Sequence, residues 1–231
     1  MTGFFVETWH GELLPADSVS EEQTEQQYWH LLNKDERKKA NAFSRKVLQL
    51  KYIKTRGVLR EILSSYLNIE AQKIIIKTAK YGKPFLAEAD LFFNLSHTGN
   101  KFVVVVTNRC EVGIDLEQLR NRKSTPALVE KCFSKTERGY WHSLSAEHKT
   151  IMFYRFWVRK EAFVKAVGRG IALGLNQCEI NSDNQTCFSS IPGEYGLPSD
   201  WKILDIPINQ HHVCAVVIKN MDFQYKQIEL K

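Results

Sequence analysis

The chain has 231 residues, 43% of them hydrophobic and 25% charged, with a formal net charge of +6. That is enough for one large domain or two small ones with filled cores, in the composition of an ordinary soluble globular protein. The apolar runs, Phe102–Val106 among them, are far too short for a membrane span, the Met1–Glu7 start lacks the basic-then-apolar pattern of a signal peptide, and five scattered cysteines without metal-ligand spacing point to a reduced, cytoplasmic protein.

In chain order the hydrophobic periodicity and capping residues predict a strand over 4–7, helices over 21–31, 34–42 and 48–67, and strands over 74–78, 102–107 and 112–116. Helices over 126–132, 135–143 and 151–167 follow, then strands over 178–180, 201–207 and 213–218. A faint repeat runs through this order. Asn33-Lys-Asp-Glu36 and Ser134-Lys-Thr-Glu137 are both capping boxes, about 101 residues apart, and each precedes a longer helix. The expected fold is α+β, with two similar lobes, 1–110 and 111–231, related by a pseudo-twofold and the active site in the cleft between them. The second lobe would carry the metal site.

Chemistry concentrates in four segments. In Val112-Gly-Ile-Asp-Leu-Glu117 the period of a strand puts Asp115 and Glu117 on one face and Ile114 and Leu116 on the core face. Two carboxylates side by side repel unless a cation or solvent relieves them, and hard oxygen donors suit Mg²⁺. A solvated strand end with two surface acids would look the same. Phe156-Trp-Val-Arg-Lys-Glu-Ala-Phe-Val-Lys165 reads as a largely buried helix, with Glu161 and Lys165 on one face and Lys160 unpaired. An i,i+4 ion pair at a helix edge explains the first two residues but not the third. Ser96-His97-Thr98 forms a donor-rich turn before a strand, suited to phosphate oxygens or to ordinary capping. Tyr81-Gly-Lys-Pro84 is a turn presenting Lys83, and the basic run 37–56 reads mostly as a solvated helix face.

Taken together these segments resemble the 4′-phosphopantetheinyl transferases of the Sfp type. That family carries Gly-Ile/Val-Asp-x-Glu, here Gly113–Glu117, and some 40 residues on a Trp-x-x-Lys-Glu-x-x-x-Lys helix, here Trp157–Lys165. Tyr81–Pro84, Asn94–Thr98 and Phe133–Glu137 match in family order. Val158 stands where the family usually has Ser, Thr or Cys. The resemblance implies transfer of the 4′-phosphopantetheine arm from coenzyme A to a serine of an apo acyl or peptidyl carrier protein, releasing adenosine 3′,5′-bisphosphate. It implies Mg²⁺, with Mn²⁺ as a second candidate, on Asp115, Glu117 and Glu161. Glu161 would accept the serine proton, while Lys165 and Asp115 complete the catalytic group. Lys160 and Lys165 would neutralise phosphates, and Lys83, Ser96 and His97 would hold the nucleotide end. Lys39, with Lys51 or Arg56 as weaker candidates, would meet the 3′-phosphate. A monomer without nucleic-acid or membrane partners is expected. The positive net charge suits an acidic carrier.

Two other readings stand beside this one. A metal-dependent nuclease would use the same acids and lysines on a basic protein, but such sites often place a lysine two residues after the second acid, where this chain has Leu119. A non-catalytic coenzyme A or nucleotide binder of the same fold would not need an intact acidic trio.

Overall fold

The computed structural model describes residues 3–14 and 21–230. Two α+β units follow one another along the chain. The first runs β1 (Phe5–Glu12), α1 (Glu21–Tyr28), α2 (Lys34–Asn41), the long α3 (Lys46–Leu67), the short hairpin β2 (Ile76–Thr78) and β3 (Pro84–Leu86), then β4 (Phe92–Thr98) and β5 (Lys101–Thr107). The second repeats that order with β6 (Val112–Gln118), α4 (Thr125–Cys132), α5 (Lys135–Ser143), the long α6 (Ala146–Ala166), the hairpin β7 (Glu179–Ile180) and β8 (Phe188–Ser190), then β9 (Trp201–Asp205) and β10 (His212–Lys219). The sheets have matching orders, β1-β5-β4 and β6-β10-β9, with antiparallel pairing throughout. A last strand, β11 (Gln224–Glu229), runs parallel to β1, from Phe5 opposite Gln224 to His10 opposite Glu229. The end of the chain thus returns to the first unit's sheet, across the expected boundary at 110/111.

The repeat holds at the level of atoms. Both predicted capping boxes form: the Asn33 side chain accepts from the Glu36 amide at 2.9 Å, and Ser134 from the Glu137 amide at 3.2 Å. Each capping glutamate is also buried and meets a cation from the following long helix, Arg60 for Glu36 and Lys160 for Glu137. Each cation then binds carbonyls of the segments around it. Arg60 donates to Ala71 and Ile74 at 2.7 and 3.0 Å, and Lys160 to Cys132 and Leu175 at 3.2 and 3.0 Å. A buried charge must be paired and hydrogen-bonded, and both are.

Strand alternation builds the core. In β5, Phe102, Val104 and Val106 pack against α3, while Val103 and Val105 face the other way. That second face meets Ile114, Leu116, Val216 and Ile218 of the other sheet, so the two sheets pack back to back with a helix outside each. In β6 the same alternation turns Asp115 and Glu117 away from this seam core, toward α6. Gly113 lets the helix come close: a Cβ there would collide with the Ala162 carbonyl and the Ala166 amide. Gly168, at φ +69°, takes the left-handed conformation that turns the chain away after α6.

Four strands lie outside the predicted set. The polar Asn94–Thr98 segment is most of β4, not a turn; it alternates, with Phe93 in the first core and Asn94, Ser96 and Thr98 buried on the opposite face. β3, β8 and β11 carry no long apolar run. The helix expected from residue 151 starts earlier, at Ala146.

Candidate active site

The site lies where β4 of the first unit runs alongside β6 of the second. The two strands do not share a backbone ladder; side chains of β4 make the join. Asn94 accepts from the Ile114 amide at 3.1 Å, and the Ser96 hydroxyl donates to Asp115 Oδ1 at 2.9 Å. Lys165 comes down from α6 onto the same point. Its ammonium donates to Asp115 Oδ1 at 2.7 Å, Ser96 Oγ at 3.0 Å and the Ile114 carbonyl at 3.1 Å. Ser96, Asp115 and Lys165 therefore form one knot drawn from three elements and both units.

Around it the carboxylates are out of balance. Asp115 Oδ2 and Glu117 Oε2 are buried without a hydrogen-bond partner. Arg122 approaches Glu117, but at 3.6 Å it is beyond a hydrogen bond. Glu117 titrates above the ordinary carboxylate range, through burial first and the charge of Asp115 second. Glu161, one turn before Lys165 on α6, is pushed up to about 7 by burial and by Asp115 and Glu117, with Lys165 opposing. Buried carboxylate oxygens without donors are costly, and a cation relieves that cost. The donor set of Asp115, Glu117 and Glu161 is all oxygen, as Mg²⁺ prefers. As the side chains stand, no three Asp, Glu, His or Cys residues among those described form a closed ligand cage. The orphaned oxygens belong to Asp115 and Glu117, with Glu161 their electrostatic neighbour.

Two clefts flank the knot. One, of about 210 Å³, is walled by Tyr81–Pro84, Asn94, Leu95, Lys165 and the glycines at 168 and 170. The other, of about 500 Å³, is lined by Lys39, Lys51, Arg56, Tyr52, Leu95 and His97. Leu95 borders both. Of the three basic side chains in the larger cleft, Arg56 is paired with Glu36 and Lys51 donates to the Gly99 carbonyl at 2.6 Å. Lys39 is exposed, with its ammonium 5.4 Å from the Tyr52 ring. Partial burial first, then Lys165 and Lys51, hold His97 toward its neutral form.

The structure thus brings Ser96, Asp115, Glu117, Glu161 and Lys165 to one place, with His97 and Lys39 in the adjoining cleft. It moves two expected residues. Lys160 is fully buried on another side of α6, where Glu137 and the Cys132 and Leu175 carbonyls occupy its ammonium, so it is a structural cation and not a phosphate contact. Lys83 borders the smaller cleft, but its ammonium is taken by Glu111 and by the carbonyls of Val112 and Ala166, at 3.1 and 2.8 Å. Ser96 holds Asp115 and Lys165 rather than offering a free hydroxyl. Sequence reasoning passed over Asn94 and Arg122. The signal for Asn94 was the two-residue period Asn94, Ser96, Thr98.

Residues 111–217 match the family described as the 4′-phosphopantetheinyl transferase superfamily, and residues 20–110 match 4′-phosphopantetheinyl transferase, N-terminal. The chain is 33% identical over 199 residues to the 4′-phosphopantetheinyl transferase HetI of Nostoc sp., covering 84% of this chain and 81% of that protein. It is 26% identical over 163 residues to the 4′-phosphopantetheinyl transferase Sfp of Bacillus subtilis, covering 70% and 71%. A solved holo-(acyl-carrier-protein) synthase from Bacillus anthracis, in complex with CoA (3′,5′-ADP), superimposes on 46% of this chain and 92% of its own at 19% identity, with a TM-score of only 0.37. With one relative above 30% identity along most of both chains, and both units matched in order, the chain belongs to the 4′-phosphopantetheinyl transferase superfamily.

Proposed function

We propose that this protein transfers the 4′-phosphopantetheine arm of coenzyme A to a serine of an apo carrier protein. One observation carries the reading: the Ser96–Asp115–Lys165 knot at the seam of the units, with orphaned carboxylate oxygens of Asp115 and Glu117 beside it. Such a place holds a cationic group and an anionic oxygen cluster together. The larger cleft, with Lys39 exposed and His97 beside it, suits the phosphorylated nucleotide end of coenzyme A.

Asp115, Glu117 and Glu161 would hold Mg²⁺, which when bound supplies positive charge to the pyrophosphate oxygens and their developing negative charge. The chain's own residues do the rest. Lys165, fixed by three acceptors, stabilises charge on the phosphoryl oxygens without having to reorganise. Ser96 and Asn94 keep Asp115 and β6 in register with β4. The carrier serine oxygen attacks the β-phosphorus, and the bond from that phosphorus to the bridging oxygen breaks. Adenosine 3′,5′-bisphosphate leaves with the bridging oxygen. The serine proton passes to Glu161, the α6 carboxylate beside Asp115 and Glu117, directly or through water. One chain supplies every residue named, so the working unit is a monomer. Among the described residues no helix is long and apolar enough to cross a membrane.

The test is to incubate an apo carrier protein with coenzyme A, Mg²⁺ and the enzyme, then record the intact mass. The expected outcome is a gain of one phosphopantetheine. No gain across acyl and peptidyl carriers would overturn the reading. A panel of carriers ranked by kcat/KM then identifies the partner.

A further inference from the structure

The β2–β3 hairpin of the first unit fastens the C-terminal end of α6 in the second. The Lys83 stem is buried, its side chain 9% exposed, and its ammonium bridges three groups: the Glu111 carboxylate, the Val112 carbonyl where β6 begins, and the Ala166 carbonyl where α6 ends. Gly168 lies against the stem, where a Cβ would sit 3.5 Å from Lys83 Cδ. At the hairpin tip the Arg169 guanidinium stacks over Tyr81 at 4.9 Å and donates to its hydroxyl at 3.3 Å. A Cβ at Gly170 would meet the Tyr81 carbonyl at 3.6 Å. One short hairpin therefore touches the end of α6 and the residues just past it, Gly168, Arg169 and Gly170.

The placement matters because α6 and β6 carry opposite halves of the site. Glu161 and Lys165 sit on the last two turns of α6, and Asp115 and Glu117 sit on β6. Lys83 holds the end of that helix and the start of that strand with one ammonium. A helix C-terminus leaves its last carbonyls without intrahelical donors, and a cation there satisfies one and opposes the negative end of the dipole. Lys83 and Lys165 each donate to three protein acceptors, but the Lys83 side chain is 9% exposed against 27% for Lys165, so less of it is open to a ligand.

We infer that Lys83 is a positioning residue: it acts through α6 and β6, setting the distance between Lys165 and Asp115, and does not hold the donor substrate. The inference rests on the transferase reading above, and the experiment separates the two. Wild-type enzyme that transfers nothing removes the functional reading alone.

The variant is K83M, which keeps most of the stem and removes the ammonium. Calorimetry with coenzyme A and with 3′-dephospho-coenzyme A gives the affinities, and mass-based turnover at a temperature well below Tm gives kcat. A lost positioning contact of this kind costs about ten- to a hundredfold in rate. The expected result is that fall in kcat, a coenzyme A Kd within about threefold of wild type, and an unchanged ratio of Kd values between the two ligands. A Kd weakened more than about tenfold with a collapsed ratio would make Lys83 a phosphate ligand and overturn the inference. So would a folded variant with kcat within about twofold of wild type. If K83M does not fold, R169M decides, since it releases only the outer fastening. The same split in kcat, about three- to tenfold, with unchanged Kd supports the hairpin's role, and unchanged kcat overturns it.

Discussion

Glu161 has two consequences that can be measured apart. As the proposed proton acceptor it matters for turnover: Glu161→Gln is expected to lower kcat by about 10²–10³-fold while coenzyme A still binds. As a buried acid among acids it costs stability. Its pKa is raised from the ordinary 4.5 to about 7 in the folded chain, so the folded state keeps its proton better than the unfolded one. A raised acid destabilises as pH climbs from the ordinary value, and the cost is complete above the folded value. In metal-free protein, Glu161→Gln should therefore be more stable than wild type at pH 8, by about 1–2 kcal/mol after allowance for partial exposure, and no more stable at pH 4. Urea unfolding in chelator at the two pH values checks this, and equal gains at both would refute it. Lys160 makes the opposite case. Its ammonium and the Glu137 carboxylate are fully buried together, and removing one partner of such a pair costs about 3–5 kcal/mol. Lys160→Met should lose that much stability and leave the coenzyme A Kd of the folded fraction within about twofold. A weakened Kd in well-folded protein would return Lys160 to the phosphate. The two residues are adjacent in sequence and read alike there. Only the direction of each side chain around a helix buried on most sides separates them, and the apolar neighbours of both hid that direction.

At the scale of elements, the approach of α6 to β6 brings the acidic halves of the site together, and Gly113 permits it. Gly113→Ala would force a methyl into the helix backbone at Ala162 and Ala166, with backbone on both sides and no flexible side chain to yield. The expected loss is about 3 kcal/mol, the upper end for overpacking, and kcat should fall further than the folded fraction alone accounts for, because Lys165 is displaced from Asp115. Chemical denaturation and single-turnover rates on the same samples separate the two losses. Gly113-Ile-Asp-Leu-Glu117 was legible in the sequence because a period of two has one outcome on a half-buried strand, and the capping boxes at Asn33 and Ser134 because their hydrogen bonds are local. β4 was not. Its polar residues face a neighbouring strand they join by side chains, so burial without apolar character looks like a turn. β11 was hidden for a related reason: Gln-Tyr-Lys-Gln-Ile-Glu is a largely exposed edge strand whose place beside β1 is set by pairing across the whole chain. The clefts were not legible either, because they form between segments far apart in sequence.

For the whole molecule, the question is whether two repeated units behave as two domains or one. Each has its own helix-covered core, which argues for separate folding. Two features argue against it. The faces of the two sheets turned away from their helices bury each other, with Val103, Val105, Ile114, Leu116, Val216 and Ile218 at 1% exposure or less. At about 1.5–3 kcal/mol per fully buried aliphatic side chain, that seam couples the units by on the order of 10 kcal/mol. The final strand then ties the end of the second unit into the first unit's sheet, so the first half of the chain does not complete its own sheet. The expected outcome is one cooperative unfolding transition. Trp9 and Trp29 report on the first unit, and Trp141, Trp157 and Trp201 on the second, so variants keeping one group or the other should give fluorescence midpoints in urea that coincide with each other and with the loss of helical circular dichroism. Deleting residues 223–231 should lower both midpoints together, although the lost strand pairs only with the first sheet. Midpoints that separate, or a deletion felt by the first group alone, would mean that the seam does not hold the units as one, and that the distance between Lys165 and Asp115 is set by their own contacts and the hairpin without help from the seam.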